Sequence, residues 1–139
     1  MVNVIIITQA RIGSTRLPSK VLKKIKGKSL LQVHLERLKK SQYGDNVIVA
    51  TTFEDGVDKI IRIANSLNVD YYQGDTNDVL DRFYNAAKGK NPDYIVRVTS
   101  DCPLLDPILM DEIIQLAVVN DLDYTTNTLI EAFPDGQDV

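Results

Sequence analysis

Hydrophobic positions along the chain alternate between two patterns. Short, continuous apolar or β-branched runs at 4–8 and 47–51 are typical of strands buried in a parallel sheet. Runs that combine aromatic or β-branched residues with charged or polar ones predict further strands at 69–72 and 93–98, with a last short one at 123–126. Apolar residues at helical spacing separate these runs and predict helices over 29–40, around 57–67, over 77–87 and from 106 onward. Because strands separated by helices pair in parallel through right-handed crossovers, the sequence predicts a three-layer α/β fold.

The helical spacing also predicts which side chains face the sheet. These are Leu31, His34, Leu35 and Leu38 in the first helix, Val57, Ile60, Ile61, Ala64 and Leu67 in the second, Val79, Leu80, Phe83 and Ala87 in the third, and Leu109, Ile113, Leu116 and Ala117 in the fourth. The only histidine, His34, is therefore interpreted as a packed core residue and not as a general base.

Composition and charge narrow the class of protein. The 139 residues suffice for one domain with a real core, and we expect that domain to span 1–139. A net charge of −3 argues against a nucleic-acid partner. One cysteine, Cys102, and the absence of a long apolar run suggest a cytoplasmic protein with no membrane partner. Residues 133–139 resemble a turn that leads onward, so we expect the N-terminal part of a longer protein.

The loop after the first predicted strand carries the most unusual chemistry. It combines a glycine with cationic, amide and hydroxyl residues, namely Gln9, Ala10, Arg11, Gly13, Ser14, Thr15, Arg16 and Lys20. In an open parallel sheet, ligands bind beyond the carboxyl ends of the strands. Two guanidinium forks and a lysine suit phosphate oxygens. We expect Gly13 to adopt a positive φ that lets backbone N–H groups converge on an anion. The alternative is a solvated basic loop.

Two familiar phosphate-binding patterns do not fit this loop. A Walker loop needs a glycine immediately before its lysine, whereas Ser19 precedes Lys20 here. The dinucleotide fingerprint needs three spaced glycines, and the loop contains only Gly13. The loop therefore indicates a phosphate site of another type.

Two further segments carry candidate chemistry. Asp101 follows the fourth long strand and is expected at the same sheet edge, where it is either a Mg²⁺ ligand or a turn-capping residue. Asp106 precedes a proline and is interpreted as a helix cap. Asp78 lies at a helix start, where it complements the helix dipole. Arg82 is unexpected so early in a helix, and either a ligand or an ion-pair role would explain it.

Four ordered motifs together resemble the sugar cytidylyltransferases, which include the 3-deoxy-manno-octulosonate and acylneuraminate enzymes. The similarity is strongest to the branch of spore coat polysaccharide biosynthesis protein F. The motifs are Gln-Ala-Arg-Ile-Gly-Ser-Thr-Arg-Leu-Pro-Ser-Lys-Val-Leu at 9–22, Asp-Val-Leu-Asp-Arg at 78–82, Arg-Val-Thr-Ser-Asp-Cys-Pro-Leu-Leu-Asp-Pro at 97–107 and Phe-Pro-Asp-Gly-Gln-Asp-Val at 133–139.

The resemblance implies a Rossmann-like nucleotidyltransferase (GT-A-like) domain with a mostly parallel sheet. It implies Mg²⁺-dependent transfer of CMP from CTP to an acidic sugar, with release of pyrophosphate, for surface or spore coat polysaccharide biosynthesis. It assigns catalytic roles to Arg16, Lys20 and Asp101, with Asp101 as the metal ligand. It assigns sugar binding to Asp135 and Asp138, and nucleotide binding to Gln9, Ala10, Arg11, Gly13, Ser14, Arg16, Lys20, Asp78 and Arg82.

The resemblance leaves several matters open. Family members extend well beyond this length and take a second metal carboxylate from near their C-terminus, so the metal site and the interface of a homodimer would be incomplete here. A GT-A-like glycosyltransferase that uses a nucleotide-sugar is the first alternative function. A nucleotide-binding fragment without activity is the second.

Overall fold

A four-stranded parallel sheet forms the centre of the molecule. The computed structural model describes residues 1–14, 16–130 and 132–139. Its elements, in chain order, are β1 (Val4–Gln9), β2 (Lys24–Ile25), β3 (Lys28–Ser29), α1 (Leu30–Leu38), β4 (Val47–Thr51), α2 (Asp58–Ser66), β5 (Asp70–Gln73), α3 (Val79–Ala87), β6 (Tyr94–Thr99) and α4 (Pro107–Asn120). The order in the main sheet is β5-β4-β1-β6, and each neighbouring pair is parallel. This confirms the four long strands predicted from the sequence.

The register aligns the carboxyl ends of the four strands along one edge. β1 is central, with Gln9 opposite Ala50 of β4 and opposite Thr99 of β6. On the far side of β4, Thr51 is opposite Gln73 of β5. The loops that follow these strands therefore emerge on the same side of the sheet, which is where an open parallel sheet binds its ligands.

Helices pack on both faces of the sheet, which gives the predicted three layers. On one face, α1, α2 and α4 pack on alternate strand residues and form the larger core, whose buried members include Val4, Ile6, Leu31, Leu35, Val49, Ile60, Met110 and Ile114. On the other face, α3 packs on Ile5, Ile7, Ile48 and Ala50 through Phe83, Ala86 and Ala87. Residues 4–7 of β1 are at most 3% exposed, as expected for a strand buried on both faces.

Two helix faces differ from the sequence-based expectation. Leu80 was expected to face inward but is 81% exposed, because Arg82 and Phe83 are the buried residues of that turn of α3. In α4 the buried residues are Met110, Ile114 and Ala117, whereas Leu116 is 53% exposed. Apolar residues are spread around α4 and do not form one clear face, so their periodicity could not identify the face that packs on the sheet.

The short strand expected at 123–126 is not formed. The helix α4 ends at Asn120, the next residue, Asp121, has a left-handed φ of 50°, and the N–H of Leu122 donates to the carbonyl of Ala117. The chain then runs on without pairing to the sheet. The sequence patterns did not predict the short hairpin of β2 and β3. The turn between these strands uses Lys26 and Gly27 at positive φ, whereas the usual sequence signals of such a turn are Asn-Gly and Asp-Gly.

β6 lies at the edge of the sheet. Ile95 is 50% exposed, and Arg97 lies over the ring of Phe83 at 5.5 Å from its centroid. A cleft of about 830 Å³ runs along β6 and is bordered by the segment that follows α4. Lys20 and Asp101 are not among the residues that line it. Within the described residues, no helix is long and apolar enough to cross a membrane.

Candidate functional site

The carboxyl ends of β1 and β6 bring two of the predicted motifs together. Gln9, at the end of β1, is in register with Thr99, at the end of β6. One residue further, the hydroxyl of Ser100 donates a hydrogen bond of 2.6 Å to the carbonyl of Gln9. This bond joins the loop after β6 to the loop after β1, so Asp101 lies beside the segment 9–20.

Lys20 and Asp101 form the central contact at this edge. Lys20 Nζ lies 2.9 Å from Asp101 Oδ2, although the two residues are 81 positions apart in the sequence. The hydrogen bond from Lys20 outweighs the opposing effect of burial and lowers the pKa of Asp101, so the carboxylate is ionised at neutral pH. Both side chains remain partly exposed, at 31% and 43%, and are therefore accessible to a ligand. The expectation that Asp101 shares an edge with the loop is confirmed.

Gly13 permits a close approach and does not provide a special backbone conformation. We expected a positive φ at this position, and that expectation is wrong, because Gly13 is not among the described residues with positive φ. Its N–H donates instead to Glu54 Oε1 at 3.1 Å. A Cβ on residue 13 would collide with that oxygen. The glycine is explained by the space that the carboxylate of Glu54 occupies.

Neighbouring backbone amides of the loop are also used within the protein. The N–H groups of Ser14 and Ser19 both donate to the carbonyl of Ile12 at 3.0 Å. The N–H of Leu17 makes a long bond of 3.4 Å to Ser14 Oγ. A cradle of converging N–H groups is therefore not formed by these residues, and binding of an anion would rely on side chains. Thr15, whose hydroxyl we expected to contribute, lies outside the described residues.

The cationic side chains of the loop after β1 are available to bind an anion. Arg11 and Arg16 are exposed, and neither forms an ion pair within the described part of the chain. Together with Lys20 they give this edge a local positive charge in a chain whose net charge is −3. Ala10 differs from them, since its side chain is 3% exposed and its N–H donates to the carbonyl of Ala50. Only its carbonyl is left to face a ligand.

Arg82 is buried beneath the loop, and its side chain is only 1% exposed. Its Nη1 donates to the carbonyl of Asp75 at 2.5 Å, and its Nη2 donates to Gln9 Oε1 at 3.3 Å. Among the described residues its Nε has no partner. Burial, followed by the charge of nearby Arg11, lowers the pKa of Arg82. Arg82 thus supports Gln9 and the loop before α3, and it forms no ion pair with a described residue.

The loop before α3 is organised by its own aspartates. Asp78 caps the helix by accepting the N–H of Asp81 at 2.9 Å. Asp75 accepts the N–H groups of Asn77 and Asp78 at 2.7 and 2.9 Å, and these bonds lower the pKa of Asp75. The helix-start interpretation of Asp78 is therefore confirmed, and the predicted role of Asp78 in nucleotide binding stays a prediction.

His34 supports the site from within the core, as its predicted packing requires. It is completely buried, and its Nδ1 lies 3.1 Å from the carbonyl of Cys102. Because a carbonyl only accepts, Nδ1 carries the hydrogen, and Nε2 accepts from the hydroxyl of Thr8 at 2.9 Å. His34 thus links β1 to the loop that holds Asp101. Burial also raises the pKa of Cys102, which is consistent with a structural thiol and not a nucleophile.

The segment 133–139 returns to the same loop. Gln137 Oε1 accepts the N–H of Asp106 at 2.8 Å, and Gln137 Nε2 donates to the carbonyl of Leu104 at 3.0 Å. Asp106 itself caps α4 through the N–H of Ile108 at 2.9 Å, as predicted. Asp135 and Asp138 are exposed. Asp138 contributes to raising the pKa of Cys102, which places its charge near the loop that holds Asp101.

A residue that the sequence analysis missed is Glu54, in the loop after β4. Besides accepting the N–H of Gly13, its carboxylate accepts the hydroxyl of Thr52 through Oε2 at 2.6 Å. The signal that could have identified it is its position just beyond the carboxyl end of a strand adjacent to β1.

Comparison with known proteins agrees with this arrangement. A family model described as "Cytidylyltransferase" matches residues 5–134. The chain belongs to the cytidylyltransferase family. A cytidylyltransferase of solved structure, from Leptospira borgpetersenii, is 40% identical, with a TM-score of 0.93, and the match covers 99% of this chain and 59% of that one.

Two curated proteins are similar to this chain over most of its length. Spore coat polysaccharide biosynthesis protein SpsF of Bacillus subtilis is 34% identical over 90% of this chain and 54% of its own length. A 3-deoxy-manno-octulosonate cytidylyltransferase of Solibacter usitatus is 32% identical over 94% of this chain and 50% of its own length. The chain therefore spans about half the length of the curated relatives that it matches. The family and the α/β fold expected from the motifs are both confirmed.

Proposed function

We propose that this protein transfers CMP from CTP to a hydroxyl of an acidic sugar and releases pyrophosphate, with the help of Mg²⁺, in the cytoplasm. The observation that carries the proposal is the contact of Lys20 with Asp101, which joins a cationic loop to an ionised carboxylate at the carboxyl edge of the sheet. Membership of the cytidylyltransferase family supports the nucleotide and the type of transfer.

The triphosphate would bind along the loop after β1. Arg11 and Arg16 supply planar donors for phosphate oxygens, and Lys20 and Ser14 add a compact charge and a hydroxyl. Because the described loop amides are mostly bonded within the protein, these side chains would carry the interaction. In-line attack on the α-phosphorus depends on such positioning and on charge neutralisation more than on covalent catalysis.

The nucleoside would lie near Gln9, Arg82 and Asp78. Arginine can only donate, so the contact with Arg82 turns the amide oxygen of Gln9 inward and leaves its NH₂ group as a donor toward a ligand. Cytosine presents acceptors on its pyrimidine edge, which such a donor can satisfy. Because every nucleobase presents such acceptors, the choice of CTP rests on membership of the cytidylyltransferase family.

Asp101 is the residue that would hold Mg²⁺. The described residues contain no cluster of three or more potential ligands, and Asp101 is the carboxylate among them that we assign to the metal. Mg²⁺ often binds to one or two carboxylates and completes its shell with water and substrate phosphates, so an ionised carboxylate beside a triphosphate site fits it. When bound, Mg²⁺ would neutralise charge on the phosphate oxygens.

Lys20 and Arg16 would neutralise the charge that develops on the phosphate oxygens in the transition state. His34 does not act as a base in this proposal, because it is fully buried and both of its ring nitrogens are engaged. Asp135 and Asp138 would accept hydrogen bonds from sugar hydroxyls at the rim of the site. The likeness to the spore coat polysaccharide protein SpsF supports a role in the biosynthesis of a surface polysaccharide.

The test compares Asp101→Asn with Asp106→Asn. Both changes remove one carboxylate from the loop between β6 and α4, and asparagine at 106 still caps the helix. We expect Asp101→Asn to abolish Mg²⁺-dependent pyrophosphate release from CTP in the presence of acidic sugars, and Asp106→Asn to retain it. Turnover that is unchanged in Asp101→Asn would remove Asp101 from the mechanism. Consumption of a nucleotide-sugar without pyrophosphate release would favour a glycosyltransferase.

A further inference from the structure

The carboxylate of Glu54 contacts the loop after β1 from a different part of the chain. It lies between β4 and α2, 41 positions from Gly13, and accepts the N–H of that glycine at 3.1 Å. Its other oxygen accepts the hydroxyl of Thr52 at 2.6 Å, and Thr52 is fully buried. One carboxylate thus joins the loop after β1 to a buried residue that directly follows β4.

The sequence around residue 13 is adapted to this contact. A Cβ on residue 13 would collide with Glu54 Oε1, and the backbone of Gly13 does not use the left-handed region. The glycine is therefore needed for the approach of the carboxylate. Among the described residues near the tip of the loop, Ser14 and Ser19 donate to Ile12, and these bonds lie within the loop itself.

The charge of Glu54 is also part of the site. It acts on Arg82, where it counters the effects of burial and of Arg11 on the pKa of that guanidinium. Arg11 and Ser14, both assigned to the triphosphate, lie within two positions of Gly13. Fixing Gly13 therefore limits the positions that these two side chains can take.

We propose that Glu54 is a positioning residue for the loop after β1 and that it acts through the N–H of Gly13. Resting on the proposed function, this inference gives the loop after β4 a role in nucleotide affinity. Holding the loop before CTP arrives reduces the conformational entropy that binding would otherwise cost. Glu54 itself does not contact the phosphates in this proposal.

The first test measures the loop in the protein without nucleotide. Glu54→Ala removes both bonds, whereas Glu54→Gln can still accept the Gly13 N–H through its oxygen and donate to Thr52 through its amide. We expect the Gly13 amide to exchange its hydrogen about tenfold faster in Glu54→Ala than in the wild type, because a charge-assisted bond is lost. Glu54→Gln should exchange within about threefold of the wild type. Equal exchange in all three proteins would overturn the proposal.

The second test measures the dissociation constant for CTP by calorimetry. Glu54→Ala should weaken binding about tenfold, with Glu54→Gln restoring most of it. Asp55→Ala removes a neighbouring exposed carboxylate and should leave the affinity unchanged. Tighter binding by Glu54→Gln would show that Glu54 competes with the phosphates, and equal weakening by both variants would show that only its charge matters. Either result would overturn the proposal.

Gly13→Ala provides a separate route if Glu54→Ala does not fold. The added Cβ displaces the Glu54 carboxylate from the loop without changing residue 52 or 54. Gly13→Ala should therefore also weaken CTP binding about tenfold, and adding Glu54→Gln should not restore it. If the wild-type protein binds no CTP, the proposed function fails, whereas the exchange measurement still decides the role of Glu54 in ordering the loop.

Discussion

Acidification should destabilise this protein through His34. The ring is completely buried, donates to the carbonyl of Cys102 and accepts from the hydroxyl of Thr8. A protonated ring would carry hydrogen on both nitrogens, so the bond to Thr8 would be lost unless that hydroxyl turned. Burial lowers the pKa of His34 from 6.5 to about 4, against the weaker opposing effects of the Cys102 carbonyl and of Asp101.

The direction and size of the effect follow from proton linkage. Between the two pKa values the unfolded chain binds a proton that the folded protein does not, so the free energy of unfolding falls as the pH falls. With a pKa of 6.5 unfolded and about 4 folded, the loss relative to neutral pH is about 2 kcal/mol at pH 5 and about 3 kcal/mol at pH 4. The stabilisation is fully present above pH 6.5.

The assay is urea unfolding of the wild type and His34→Gln at pH 7.5, 6 and 5. Glutamine stays neutral, while the carboxylates titrate in both proteins and cancel in the comparison. The wild type should therefore lose about 2 kcal/mol more than the variant between pH 7.5 and pH 5. If the free energies of the two proteins fall in parallel, His34 is not held neutral by burial, and the reasoning is refuted.

Two further predictions concern the core and the site. Leu35→Ala should lower the free energy of unfolding by about 3 kcal/mol, because Leu35 is fully buried. Leu80→Ala should change it by less than about 0.5 kcal/mol, because that side chain is 81% exposed. Urea unfolding of both variants measures these changes. Lys20→Met should strengthen the binding of Mn²⁺ in the absence of nucleotide about threefold, because the substitution frees Asp101 from a partly exposed ion pair. The affinity can be measured from the paramagnetic resonance signal of free Mn²⁺. An unchanged affinity would contradict the prediction.

The layout of the site follows from local patterns and one topological rule. The runs at 4–8 and 47–51 needed only continuous apolar residues to be recognised as buried strands, and aromatic and β-branched residues were sufficient to predict the strands at 69–72 and 93–98. Parallel pairing then placed Asp101 and the loop after β1 at one edge, although they are far apart in the sequence. The cap at Asp106 followed from the proline after it. These predictions succeeded because each depends on a few adjacent residues.

The errors arose where a choice depends on what packs against a residue. Apolar residues are spread around α4 without forming one clear face, so the position of the sheet determines that Met110 and Ile114 are buried and Leu116 is not. The glycine at 13 was explained through its own backbone freedom, whereas the reason for it is a carboxylate from another loop. No pattern around residue 13 contains that information, because Glu54 reaches it only in the folded chain.

The ion pair between Lys20 and Asp101 affects which ligands the loop after β1 can bind. Considered alone, the loop after β1 is strongly cationic and should bind any anion. In the folded protein Lys20 is already paired with Asp101, so a phosphate that binds Lys20 competes with this carboxylate for the positive charge. A ligand gains from the exchange only if it replaces one carboxylate with more negative charge, or brings a cation that takes over Asp101. The ligand that we propose, a triphosphate with its Mg²⁺, would meet both conditions, so we expect the ion pair to favour metal-bound nucleoside triphosphates over simple anions.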